Sequence, residues 1–295
     1  MASPELEVVI GMLRSASPLA GGTLLEKRAR MELQATVTPP PADVRFEPVS
    51  ADGVPAEWAA APGARSDRAL VYFHGGGYCL GSIATHRGLV ARISREAGVC
   101  VLSVGYRLAP EHPHPAAVAD AVAAYRFVLA QGLAPERVAF AGDSAGGGLA
   151  VAALVAARDT GLALPAAGAC ISPWLDLTLS GDSMTSKAAE DPMVTPDDLR
   201  LFADAYAGAH LRATTASPLF ANLSGLPPLL LQVGTAEVLL DDAKRFAAAA
   251  RAAGVDVSLR VWDDMIHVWH AFADLLPEGA QAVRQLAAFL ARRLG

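Results

Sequence analysis

The stretch Val138-Ala139-Phe140-Ala141-Gly142-Asp143-Ser144-Ala145-Gly146-Gly147 decides how this chain folds. Its first four residues form a short apolar run, and an alanine-rich run follows the glycines as far as Ala157. Strand then helix, with Gly-x-Ser-x-Gly at the junction, describes a tight turn that lifts a serine hydroxyl off the end of a strand. Small residues flank the serine because the backbone passes close to its neighbours there. The helix start also favours negative charge developing nearby. The pattern alone is weak in a chain with 26 glycines. Its strand-and-helix context sets it apart from the bland alternative, a turn in which Ser144 merely caps a helix.

Working outward, near-continuous apolar runs recur at Ala69–Phe73, Val99–Val104, Gly168–Ile171, Leu229–Val233 and Val257–Val261. Helical segments lie between most of them: His86–Ala97, Ala116–Leu129, Ala145–Ala157 and Asp241–Ala253, with a last helix over Gly279–Arg293. Apolar strands alternating with helices imply a parallel sheet covered on both faces. Upstream, Val44–Val49 and Pro55–Ala60 flank Asp52-Gly53 as a hairpin. Before them, Glu5–Arg14 and Leu24–Leu33 have helical spacing, ended by Pro39-Pro40-Pro41. Between Gly181 and Leu226 the alternation stops, and helical pieces such as Asp197–Ala207 replace it. An insertion of this size suggests a lid.

Composition narrows the function classes. The 295 residues are 53% hydrophobic and 18% charged, against a usual charged share of about 25%, which excludes a disordered chain. The net charge of -6 and the lack of a basic block argue against nucleic acid as a partner. Cys79, Cys100 and Cys170 have no CxxC spacing and read as free thiols, so neither a disulfide framework nor a zinc site is expected. The N-terminus lacks the basic-then-apolar pattern of a signal peptide. No apolar run reaches the roughly 18–20 residues of a membrane span. A cytoplasmic location is the default expectation.

The second chemical signal is His74-Gly75-Gly76-Gly77, directly after the run ending at Phe73. Three glycines let backbone N–H groups approach a ligand, as stabilising an oxyanion requires. Such an element partners the serine turn in lipases and esterases. The expected donors are Gly75, Gly76 and Ala145. His74 and Gly77 are supporting residues, with His74 bracing the loop.

Together with Tyr106-Arg107-Leu108-Ala109-Pro110-Glu111 and Ser172-Pro173-Trp174-Leu175-Asp176-Leu177, these motifs resemble the bacterial hormone-sensitive-lipase family of carboxylesterases. The resemblance runs from Ala69 to the C-terminal region. It implies an α/β-hydrolase fold: a mostly parallel central sheet flanked by helices, with a helical cap. Residues 1–40 and 181–226 would build the cap, and 41–180 and 227–295 the core. It also implies serine esterase activity on short acyl esters with no cofactor.

The same resemblance places the base at His267, in the turn after the last strand, with His270 as the local rival; His86, His112, His114 and His210 read as structural. The family commonly carries Asp-x-Leu-x-Asp after the strand that ends near Gly234. Here Leu239 and Asp241 set the register and put Glu237 at the acid position, with Asp241 and Asp242 as alternatives. Glutamate can orient an imidazole as aspartate does. Asp143 is expected to tie down the oxyanion loop or the serine turn, and Arg107 with Glu111 to form a polar network beneath, unless they make only surface salt bridges. Trp174 and Asp176 should lie at the strand edge that carries the serine. Family analogy and apolar character nominate Tyr78, Leu201, Phe202, Tyr206, Leu211 and Val238 as pocket-lining residues.

The rival readings are a true lipase, an amidase on the same triad, and a non-catalytic small-molecule receptor of this fold. A small-molecule ester is the expected partner. A homodimer through the last strand and C-terminal helix is compatible with such folds.

Overall fold

The apolar runs lie side by side in one eight-stranded sheet in the computed structural model. The structure describes residues 2–16, 19, 21–37 and 40–295. Pro39 of the proline run and Met1 lie outside them. The chain begins with α1 (Pro4–Ser15) and α2 (Leu24–Val37), followed by the hairpin β1 (Arg45–Ala51) and β2 (Val54–Ala60). Then come β3 (Arg65–Phe73), α3 (Ile83–Ala97), β4 (Val99–Val104), α4 (Ala116–Ala130), β5 (Val138–Asp143), α5 (Ala145–Asp159) and β6 (Ala167–Ile171). Residues 181–226 contribute α6 (Ser183–Ser186), α7 (Pro196–Ala207) and short 3₁₀ turns. The alternation resumes with β7 (Leu229–Gly234), α8 (Leu240–Ala252), β8 (Val257–Trp262) and α9 (Pro277–Leu294).

The sheet order is β1-β2-β4-β3-β5-β6-β7-β8. β1, β2 and β4 pair antiparallel; from β4 through β8 every pairing is parallel. Side chains alternate across a strand, and β3 shows why its inner half, Ala69–Phe73, is apolar throughout. Val71 and Phe73 pack in the layer that holds Leu149 of α5 and Phe246 of α8. Leu70 and Tyr72 pack on the opposite face with Ile93 of α3 and Leu286 of α9. Both faces are buried, so neither alternate position can be polar.

A third apolar cluster lies apart from the sheet. Leu6, Val9 and Leu13 share one face of α1 through their three- and four-residue spacing. They pack on Met265, Ile266 and Trp269 in the turn after β8. Ser3 fastens this contact, its N–H and hydroxyl both donating to Glu278 of α9 at 2.7 and 2.8 Å. No helix among the described residues is long and apolar enough to cross a membrane.

Candidate active site

In a parallel sheet the C-terminal ends of the strands share one edge, and loops leaving that edge meet. Here the turn after β5 carries Ser144, that after β3 carries His74-Gly75-Gly76-Gly77, that after β6 carries Ser172, that after β7 carries Glu237 and that after β8 carries His267.

Ser144 sits at φ 54° and ψ -123°, a strained conformation that persists only where the surroundings enforce it. The turn is stitched to its neighbour: Ser144 N–H donates to the Ile171 carbonyl at 2.8 Å and Trp174 N–H to the Ser144 carbonyl at 3.0 Å. Gly146 is required by close approach, since a Cβ there would run into the carbonyls of Phe73 and His74. The Ser144 hydroxyl makes no hydrogen bond within the described chain and does not cap α5. The bland alternative for Ser144 is therefore not the one adopted.

Glu237 and His267 meet directly, with His267 Nδ1 2.9 Å from Glu237 Oε2. Both are buried. The other carboxylate oxygen, Oε1, accepts the Ser172 hydroxyl at 2.8 Å and the Gly234 N–H at 2.6 Å. Ser172 in turn accepts the Val268 N–H at 3.1 Å, so one hydroxyl braces the acid and the backbone beside the base. Burial opposes a charge on His267, but the bonded Glu237 outweighs it and holds the imidazole above its ordinary value. Burial pushes Glu237 up, against the pull of His267 and the Gly234 N–H. His270 points elsewhere: its Nε2 lies 3.0 Å from Gln232 Oε1, and burial lowers its pKa to about 3. Asp241 and Asp242 are also occupied, Asp241 by the Ser183 N–H at 2.9 Å and Asp242 by the N–H groups of Leu175 and Asp176, each at 2.8 Å.

Asp143 fastens the glycine loop. Its Oδ1 accepts the Tyr72 hydroxyl at 2.6 Å and the Gly75 N–H at 3.1 Å, while His86 Nε2 lies 3.3 Å from Oδ2. The N–H expected of Gly75 as an oxyanion donor is thus bonded to Asp143 instead. No acceptor among the described residues takes the N–H groups of Gly76, Gly77 or Ala145. His74 braces the loop as expected, its Nδ1 donating to the Gly75 carbonyl at 2.7 Å and its ring stacked on Tyr106 at 4.3 Å. Burial, with His86 close by, lowers its pKa to about 3 and keeps the ring neutral.

The expected Arg107–Glu111 network does not form. Arg107 instead grips Asp120 of α4, and Arg28 of α2 takes the half-exposed Glu111 at 2.8 Å. Arg28 also donates to the carbonyls of Cys79 and Ala109, each at 2.5 Å, which anchors α2 to the loop after the glycines. Trp174 and Asp176 do follow β6 beside the serine turn, with Trp174 Nε1 donating to the Asp176 carbonyl at 3.2 Å.

The nominated pocket residues divide. The Phe202 ring lies where a Cβ on Gly77 would be, and Tyr78 stacks on Tyr206 with centroids 3.9 Å apart. Val238 is buried beside the acid, and Leu211 packs half-buried against the main core. Leu201 is 42% exposed. It lines a cleft of about 600 Å³ between Leu13, Gly22 and Lys27 on one side and residues 191–201 on the other, because adjacent helix positions face about 100° apart. Lys27 and Asp198 pair across that cleft at 2.8 Å.

Two residues escaped the sequence reading in their present roles. Ser172 was visible only as part of a motif, and His86 looked structural. Neither has a local signature, since their partners Glu237 and Asp143 are far along the chain.

Comparison with known proteins agrees with this architecture. Residues 70–271 match a family described as alpha/beta hydrolase fold. The chain is 46% identical over 300 residues to an acetyl-hydrolase of Streptomyces hygroscopicus, covering 100% of this chain and 99% of that protein. It is 34% identical over 318 residues to a carboxylesterase of Mycobacterium tuberculosis, covering 100% and 98%. A crystal structure of an esterase from the bacterial hormone-sensitive lipase family superposes with a TM-score of 0.96 at 51% identity, with 100% of both chains covered. Matched by that family over residues 70–271 and by that esterase along its whole length, this chain belongs to the bacterial hormone-sensitive-lipase family of the α/β-hydrolase fold.

Proposed function

We propose that the protein is a serine carboxylesterase that hydrolyses short-chain acyl esters through an acyl-enzyme. The observation that carries this reading is the 2.9 Å contact of Glu237 with His267 at the sheet edge that also presents Ser144. Ser144 Oγ attacks the ester carbonyl and His267 Nε2 takes its proton. Glu237 holds the Nδ1–H tautomer and stabilises the imidazolium. The serine–histidine hydrogen bond forms when substrate is bound, as is common for such pairs. The tetrahedral oxyanion is held by the N–H groups of Gly76, Gly77 and Ala145, one residue further along the loop than the sequence suggested for its first donor. Gly75 acts instead through Asp143, as the tether of that loop. His267 then protonates the departing alcohol, and water attacks the acyl-enzyme with the same histidine as base.

Residues 1–40 and 181–226 act as a cap over this edge, joined through Lys27 and Asp198. On this reading Tyr78, Phe202 and Tyr206, packed beside the glycine loop, border the acyl site and limit it to short chains. The relatives named acetyl-hydrolase and carboxylesterase are consistent with that size. The test is turnover of p-nitrophenyl butyrate against p-nitrophenyl palmitate. Butyrate is expected to be cleaved at least about a hundredfold faster in kcat/KM, on the scale by which a misfitting chain loses transition-state binding. Comparable palmitate turnover would make the protein a lipase, and turnover of neither would point to an amidase or a receptor.

The pH dependence follows from the charge on His267. A protonated imidazole cannot accept the serine proton, and Glu237 raises the pKa of the ring above its ordinary value. The kcat/KM of the free enzyme is therefore expected to be full at alkaline pH and to fall as pH drops through a value above about 6.5. An acid limb clearly below that value, in a pH–rate profile with butyrate, would contradict this reading of the pair.

A further inference from the structure

A third carboxylate stands behind the acid and base. Asp191 lies between α6 and α7, in residues 181–226, and is buried. Its Oδ1 accepts the N–H groups of Met193 and Val194, each at 3.0 Å. Its Oδ2 accepts the N–H of Val238, the residue after Glu237, at 3.1 Å. The side chain is thus a bridge from the inserted segment to the loop that carries the acid. Met193, in the same turn, packs against Met265, Ile266 and Trp269 around the base.

Among the described residues every hydrogen-bond partner of the Asp191 side chain is a neutral backbone donor, with no Lys, Arg or His paired to it. A buried carboxylate is costly unless paired, and a tie between loops needs only a neutral acceptor. The three N–H donors satisfy the carboxylate without cancelling its net charge, and a purely structural bridge does not need that charge. Glu237 acts on the His267 ring by direct contact and Asp191 and Asp143 through space, while the neighbouring His270 is kept neutral by burial. Asp143 already serves Tyr72, Gly75 and His86.

We propose that Asp191 is a positioning residue for the esterase reaction: it fixes the Glu237 loop against the inserted segment and adds a second negative charge that stabilises the imidazolium form of His267. The proposal rests on the esterase reading above. It gives residues 181–226 a part in catalysis beyond covering the site.

The test compares wild type with Asp191→Asn, Asp191→Ser and Asp191→Glu by p-nitrophenyl butyrate kinetics across pH. The histidine ring of His267 is followed in parallel by NMR titration, which needs no turnover. Asn and Ser keep a hydrogen-bond acceptor but remove the charge. Both are expected to lower kcat about tenfold with little change in KM, and to move the acid limb and the ring titration down by about 0.5–1 pH unit. Glu, which keeps the charge, is expected to hold the limb near its wild-type position. Thermal melts identify which variants fold, and the position of the limb does not depend on the folded fraction. An unmoved limb and ring titration in a folded, uncharged variant would overturn the proposal, whatever the loss in kcat. So would a loss confined to KM, or failure of both uncharged variants to fold while Asp191→Glu folds, since the charge would then serve the fold. Absence of ester turnover in wild type would defeat the esterase reading alone, and the ring titration would still decide the role of Asp191.

Discussion

Replacing Ser144 with alanine is expected to lower kcat for p-nitrophenyl butyrate by about 10⁴–10⁶, the range lost when the nucleophile of such a triad is removed. The hydroxyl makes no hydrogen bond within the described chain. Its removal leaves no buried partner unsatisfied, so the fold should survive with a melting temperature close to wild type. The glycine loop and the free N–H groups remain in the variant, and they account for the residual rate over water. The check is hydrolysis by both proteins, with a phosphonate reagent and intact mass on each. Wild type should gain one adduct and the variant none. A variant retaining more than about one-tenth of the wild-type rate would show that another group performs the attack, and the proposed mechanism would fall.

Glu237→Gln is expected to cost about 10³–10⁴ in kcat. The local bonding explains why so similar a side chain should fail. The amide oxygen can still accept from Ser172 and the Gly234 N–H, which approach one carboxylate oxygen at 2.8 and 2.6 Å. That leaves the amide NH₂ facing His267 Nδ1. The ring must then accept at Nδ1 and carry its proton on Nε2, the nitrogen that should receive the serine proton. The loss of charge has a second signature. With the carboxylate gone, the His267 pKa falls, so the acid limb of the remaining activity should move to lower pH. A pH–rate profile of the variant measures both effects together. Near-wild-type kcat, or a limb unmoved, would remove Glu237 from the role of acid and reopen Asp241, although Asp241 is bonded to the Ser183 N–H at 2.9 Å.

The sequence was legible wherever a property depends on near neighbours. The strand-turn-helix around Ser144 follows from an apolar run, small residues and an alanine-rich continuation, all within twenty positions. The doubly covered sheet follows from apolar runs with no polar alternate positions, as Ala69–Phe73 of β3 illustrates. Even the unusual Glu237 could be placed, because Leu239 and Asp241 set its register against the motif of a resembled family.

Hydrogen-bond allocation was another matter. Gly75 and Gly77 look alike in His74-Gly75-Gly76-Gly77, yet only the Gly75 N–H is taken by Asp143, at 3.1 Å. Nothing local distinguishes them, because the acceptor arrives from β5. Likewise Arg107 and Glu111, four residues apart, invite pairing, but Asp120 and Arg28 reach them first. Leu201 and Phe202 are equally apolar, and only the direction of α7 sends one to a cleft and the other onto Gly77.

By itself, then, the sequence determined the order of elements, the serine turn, and the residue types brought to the sheet edge, since these depend on periodicity, backbone sterics and side-chain chemistry along short stretches of chain. The tertiary structure alone decided which N–H groups stay free, that Ser172 braces both Glu237 and the backbone beside His267, and that Asp191 stands behind them. Those pairings join segments tens of residues apart, where a hydrogen bond depends on ångström-scale placement that no local pattern encodes.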